Sequence, residues 1–232
     1  AAQRLAIYQD HTKQTSHNTA PIAEDKRRLI ERLINKLRAY SEPVQNIIRH
    51  NDDPAAASTQ YRNAIAHYRR GDLELAYGLM YGLSEAMPDD PFYHEFRGDI
   101  LLSMAKPDAA AMAYEKALAL RPNSPQIQLS LGRSLIATNN KKYLQRAIEA
   151  MLAAKNSEPD WVFVHRQLAI AYGRAGYFAE ANLSLAEEAI LLGNEQQAAR
   201  MAKRALASAD LANDVRNRAN DILFRFEKSL QK

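Results

Sequence analysis

The chain has 232 residues, 47% hydrophobic and 25% charged, with 8 glycines, 9 prolines and no cysteine. That balance excludes a disordered chain, and the lack of cysteine excludes disulfide staples, thiolate zinc sites and a thiol nucleophile. The net charge of +4 comes from 31 basic and 27 acidic residues spread along the whole length. It reads as a solvated helical surface, not as the concentrated patch that nucleic acid or lipid would need.

Alanine and leucine dominate the apolar set and valine is scarce, which leans the composition towards helix. No apolar run approaches the roughly 20 residues of a transmembrane helix, and no signal peptide is seen. The opening Ala1-Ala2-Gln3 reads as the start of a mature or excised piece of something longer.

Residues 1–22 are polar and weakly patterned, with only Leu5 to Tyr8 suggesting an ordered turn, and read as an extension or linker. A helix is predicted from about residue 22 to residue 40, closed by Pro43. Lys26, Arg27, Arg28, Arg32, Lys36 and Arg38 form its wet side, and Leu29, Ile30, Leu33, Ile34 and Leu37 its apolar one. A short helix or turn over residues 44–50 completes an N-terminal helical segment, 23–53, ended by Asn51-Asp52-Asp53-Pro54.

From Pro54 onward the sequence repeats. Met87-Pro88, Arg121-Pro122 and Glu158-Pro159 each end a helix, and their prolines are spaced by 34 and then 37 residues. Thirty-four is the period of the tetratricopeptide repeat (TPR), a pair of antiparallel helices per unit. Ala76, Met80 and Leu83 recur in phase as Ala110, Tyr114 and Ala117, and again as Ala147, Met151 and Ala154. Gly98 recurs as Gly132. Small residues at these places let two helices approach while larger ones fill the grooves. The three extra residues are predicted to lengthen the turn at Asn139-Asn140-Lys141-Lys142. Asp90-Pro91, Ser124-Pro125 and Asp160-Trp161 are predicted N-caps.

The predicted repeat domain is 54–232, with units of about 57–90, 91–124, 125–161 and 162–194 and a fifth at 179–212 that shares a helix with the fourth. A turn at Leu191-Leu192-Gly193-Asn194 separates those two, and a capping helix is expected over 214–229. The expected fold class is all-α: a right-handed TPR-like superhelix, an α-solenoid.

The string Arg166-Gln167-Leu168-Ala169-Ile170-Ala171-Tyr172-Gly173-Arg174, with residues 185–189 and 198–206, resembles the C-terminal TPR region of bacterial periplasmic zinc-dependent proteases similar to the beta-barrel assembly-enhancing protease. Residues 91–98, 61–68 and Asn35-Lys36-Leu37 with Pro43 fit the same family, so the resemblance covers about residues 24–232. It implies a periplasmic setting and outer-membrane proteins, their assembly machinery or the family's own protease domain as partners. Zinc would belong only to a catalytic domain absent from this chain. His94-Glu95 begins an HExxH motif, but Gly98 stands where the second histidine is required.

No catalytic, cofactor or metal site is predicted. The six histidines form no ligand cluster and are expected to satisfy local hydrogen bonds, and no nucleophile elbow or phosphate-cradling loop is present. The predicted role is a protein-interaction module for a protein or extended peptide, with nucleic acid excluded. A self-association module, or a regulatory cover over the missing protease domain, is the alternative. Because the first helix of each unit lines the concave side of a TPR stack, the candidate partner-binding residues are Tyr61, Tyr68, Arg69, Glu95, Asp99, Arg133, Arg166 and Arg174. Arg133, Arg166 and Arg174 are the expected carboxylate and carbonyl donors.

Overall fold

The computed structural model describes residues 24–48, 53–208 and 211–226. The expected extension at 1–22, His11, His17 and His50, and the last residues of the expected capping helix lie outside them. Every regular element among the described residues is helical. The chain divides after Met104 into two compact units.

The first unit contains α1 (Glu24–Ser41), α2 (Val44–Ile48), α3 (Ala57–Arg70), α4 (Leu73–Ala86) and α5 (Pro91–Ser103). α3 and α4 form a hairpin whose turn is made by Gly71, at φ 86°, a left-handed conformation that glycine adopts without a Cβ clash. Ala64, Ile65, Ala76 and Met80 are completely buried between them, and Tyr61, Tyr93, Phe96 and Ile100 close the core against α5. The rings of Tyr61 and Phe96 meet edge to face at 5.9 Å. Asp90 caps α5 as expected, its carboxylate accepting from the Phe92 amide at 3.0 Å with Pro91 at the first helical position.

The second unit contains α6 (Pro107–Leu120), α7 (Pro125–Ala137), a 3-10 turn (Lys141–Tyr143), α8 (Leu144–Ser157), α9 (Val162–Ala175), α10 (Phe178–Leu191), α11 (Glu195–Leu206) and α12 (Asn213–Phe226). Consecutive helices pack in series, while α7 also touches α9 and α10 touches α12. Alternate helices therefore form two layers, with α7, α9 and α11 in one and α8, α10 and α12 in the other. The in-phase residues Ala110, Tyr114 and Ala117, and Ala147, Met151 and Ala154, are all fully buried. Gly132 shows why a small residue recurs on the first helix of a pair. A Cβ there would sit 2.7 Å from Met151 Cγ and 3.0 Å from the Ala147 carbonyl.

The three-residue insertion is the turn after α7, where Asn139 takes φ 57° and Asn140 caps the 3-10 turn by accepting from the Lys142 amide at 3.1 Å. α10 packs against both α9 and α11, and Gly193 at φ 71° turns the chain between α10 and α11.

Two of the expected caps differ. Ser124 occupies the N-cap position of α7, but its side chain accepts no capping hydrogen bond. At α9 the cap position belongs to Trp161, because the Trp161 amide bonds back to the Glu158 carbonyl at 3.2 Å and places Asp160 inside the turn.

Candidate protein-binding surface

The unit 1 residues expected to line a partner groove do share one face, and that face is covered by α1. Arg32 of α1 pairs with Asp90, and its guanidinium lies 3.8 Å from the Phe92 ring centroid. Arg62 of α3 donates to Asn35 Oδ1 at 3.3 Å. Arg69 does not point into an open groove: it donates to the Ala39 and Glu42 carbonyls, the last at 2.9 Å, and so caps the C-terminal end of α1.

Tyr61 is 2% exposed and offers no surface to a partner, since the face it was expected to present is the one that α1 and α5 close over. Tyr68 is half-buried, its hydroxyl 3.0 Å from Ser103 Oγ and its ring against Phe96 at 5.4 Å. Glu95 and Asp99 are half-buried on α5 and act on Tyr40 of α1. Burial first, then the charge of Asp99 and the neighbouring Tyr68, push the Tyr40 hydroxyl up from its ordinary value; Arg69 opposes them, and Glu95 adds the least.

In unit 2 each of the three predicted arginines has a partner within the chain. The Arg133 guanidinium stands over the Phe163 ring at 5.4 Å. Arg166 Nε donates to Glu188 Oε1 at 2.8 Å, and the Glu188 side chain is only 8% exposed. Arg174 donates to the Ile136 carbonyl at 2.8 Å and to Asn139 Oδ1 at 3.0 Å, capping α7 as Arg69 caps α1. Arg69 and Arg174 both stand two residues before a left-handed glycine, Gly71 and Gly176.

The layer that carries these arginines is strongly one-signed. α7, α9 and α11 together hold Arg133, Arg166, Arg174, Arg200, Lys203 and Arg204 against one acid, Glu195. Lys203 and Arg204 are exposed. Phe163, Arg166, Ile170 and Arg174 form one exposed stripe along α9. Two apolar steps, Phe163 and Ile170, are thus set among cations.

His94 and His165 make the local hydrogen bonds expected of them, and these belong to a recurring clamp, shared with Gln128, that was not read from the sequence. His94 Nε2 donates to the Pro88 carbonyl at 2.7 Å, His165 Nε2 to Pro159 at 2.8 Å, and Gln128 Nε2 to Pro122 at 2.8 Å. Each donor stands six residues after the proline of the turn that precedes its helix. The recurrence is written in the sequence, because His94, Gln128 and His165 stand at the same repeat phase. His67 instead lies 3.2 Å from Asp72 in the α3–α4 turn. Among the described residues no group of three His, Asp or Glu could hold a metal ion, and no helix is long and apolar enough to cross a membrane.

No family model matches the chain, and no curated protein matches it. Solved structures do. "MamA MSR-1 C2" superposes with a TM-score of 0.58 at 22% identity, over 72% of this chain and 94% of that one. MamA 41-end from Desulfovibrio magneticus RS-1 gives 0.56 at 18% identity, over 72% and 94%. A further MamA crystal structure gives 0.57 at 16% identity, over 75% and 94%. The fold is that of the TPR solenoids. At these identities the likeness is one of architecture, and function has to be argued from the surfaces of this chain.

Proposed function

We propose that the chain is a non-catalytic TPR protein-interaction module whose open docking surface is the α7/α9/α11 layer of unit 2, and that this layer takes an extended acidic segment of a partner. The observation that carries the reading is the placement of exposed Phe163 and Ile170 among six cations with a single acid on the same three helices. Carboxylates of an extended peptide would meet Arg133, Arg200 and Arg204, while its apolar side chains rest on the two steps. Arg166 and Arg174, exposed on the same stripe, are held in place by Glu188 and the end of α7.

The surface is tested by fluorescence anisotropy with acidic, neutral and basic extended peptides. Acidic peptides should bind best, with affinity falling as salt rises, and Arg133→Glu with Arg204→Glu should abolish binding at unchanged helicity. Equal binding of all three peptides, or affinity untouched by the charge reversal, would reject this surface.

The wider setting we propose is that of a module serving a periplasmic zinc metalloprotease, presenting outer-membrane chains or their assembly components. Support for it comes from the sequence strings at 61–68, 91–98 and 166–174. Co-purification of this chain with a chelator-sensitive peptidase from envelope extract would uphold that setting, and purification without one would remove it.

A further inference from the structure

α1 differs from the other helices of its unit in how it is held. Of its side chains from 26 to 41, only Ala39 is buried, whereas Leu29, Leu33 and Leu37 are about half exposed, at 49%, 52% and 49%. What holds it is largely polar: Arg32 on Asp90 and Phe92, Asn35 on Arg62, and Arg69 on its last carbonyls. A helix with little apolar burial opens at a lower free energy than the core beneath it. Beside it, between α1 and the α4–α5 turn, lies a cavity of about 600 Å³ bounded by Arg32, Met87, Asp89 and Tyr93.

The charges of the two sides are complementary. The pairing is made by Arg32, which the sequence puts on the wet side of α1 but which turns inward to Asp90 with its side chain 12% exposed, while Lys26, Arg27, Arg28 and Lys36 stay exposed. The guanidinium site is the most specific part, because Asp90 supplies the anion and the Phe92 and Tyr93 rings, at 3.8 and 6.0 Å, supply a stacking face.

We propose that the α3/α5 face of unit 1 is a binding groove for a basic amphipathic helix, and that α1 is its displaceable occupant in cis. The groove recognises an arginine at the place of Arg32, and seven residues on a small residue at the place of Ala39, which fits the completely buried position there. A partner helix with that pattern competes with α1 for the seat. The proposal rests on reading the chain as a protein-binding module, but not on the unit 2 surface.

The test uses the full chain, its Arg32→Glu and Arg32→Ala variants, and a labelled synthetic peptide of residues 24–42. In hydrogen exchange the amides of α1 should open ahead of those of α3 and α5, and both variants should speed α1 exchange by tenfold or more at unchanged thermal transition of the rest. The variants should then bind the peptide at least tenfold more tightly than the native chain does. Adding Asp90→Arg to Arg32→Glu should restore α1 protection and suppress peptide binding. Exchange of α1 only together with α3, or no peptide binding by a variant whose α1 has opened, overturns the proposal. Loss of this binding with acidic-peptide binding by unit 2 retained sinks the inference alone, while loss of both sinks the module reading itself. Arg32→Ala leaves the charge of the seat intact and is the variant read if Arg32→Glu fails to fold.

Discussion

His165 Nδ1 lies 3.3 Å from Glu187 Oε2, while Nε2 of the same ring donates to the Pro159 carbonyl at 2.8 Å. The imidazole thus ties the turn before α9 to α10. Glu187 is a wider hub: Lys155 of α8 approaches Oε2 at 2.5 Å and Arg218 of α12 approaches Oε1 at 3.4 Å. Four helices of unit 2 therefore meet at one carboxylate whose side chain is 13% exposed.

That carboxylate makes stability depend on acid. Burial alone would push Glu187 up, but the hydrogen bonds and charges of His165 and Lys155 outweigh it and hold the group at about 2, against 4.5 without those neighbours. Because the folded value lies below the unfolded one, the contribution is present in full above pH about 4.5 and is lost as pH falls towards 2. Its size is on the order of 3 kcal/mol. Urea unfolding between pH 6 and 2 should show this loss, and Glu187→Gln should flatten it while costing about 2–4 kcal/mol at neutral pH by leaving the cations unbalanced. An unchanged acid slope in the variant would show that the hub does not control it.

Gly132 and Gly78 should respond in opposite directions to alanine. At Gly132 the new Cβ meets Met151 and the Ala147 carbonyl, so Gly132→Ala should cost about 1–3 kcal/mol. At Gly78 on α4 nothing lies within 4 Å, so Gly78→Ala should stabilise by about 0.5–1 kcal/mol through helix propensity. Denaturation midpoints read both.

The proline-carbonyl clamp predicts an exchangeable pair. Gln128 performs in its unit what His94 performs in another, so His94→Gln should retain most of the stability. His94→Ala should lose about 1–3 kcal/mol, since it leaves the Pro88 carbonyl without its donor and opens a buried space. Equal losses in the two variants would mean that ring packing, not the hydrogen bond, is what His94 supplies.

Arg174→Met keeps the apolar stem but removes both bonds to the end of α7. Amide exchange in the last turn of α7 and at Asn139–Lys142 should quicken, with a global cost of about 1–2 kcal/mol. Arg133→Met should leave those amides unchanged, because Arg133 donates to no carbonyl there and stacks on Phe163 instead.

Much of the fold was legible in the residues themselves. The 34-residue proline spacing, the buried triplets from Ala76 to Ala154, and the turn at Gly193 are local or periodic properties, and each such signal places one helix against its chain neighbour. The unit 1 residues Tyr61, Tyr68, Arg69, Glu95 and Asp99 were likewise legible as one face, since repeat phase alone brings them together. What occupies that face was not. α1 precedes the repeats and shares none of their period, so its seat depends on contacts spanning 58 residues, as from Arg32 to Asp90, that no spacing announces. Charge was subject to the same limit. Repeat phase marks where Arg166 and Arg174 stand, but only tertiary packing sets a buried Glu188 beside one and the end of α7 beside the other. An arginine's role depends on which acceptor lies within reach of its flexible side chain, and distant parts of the chain supply that acceptor.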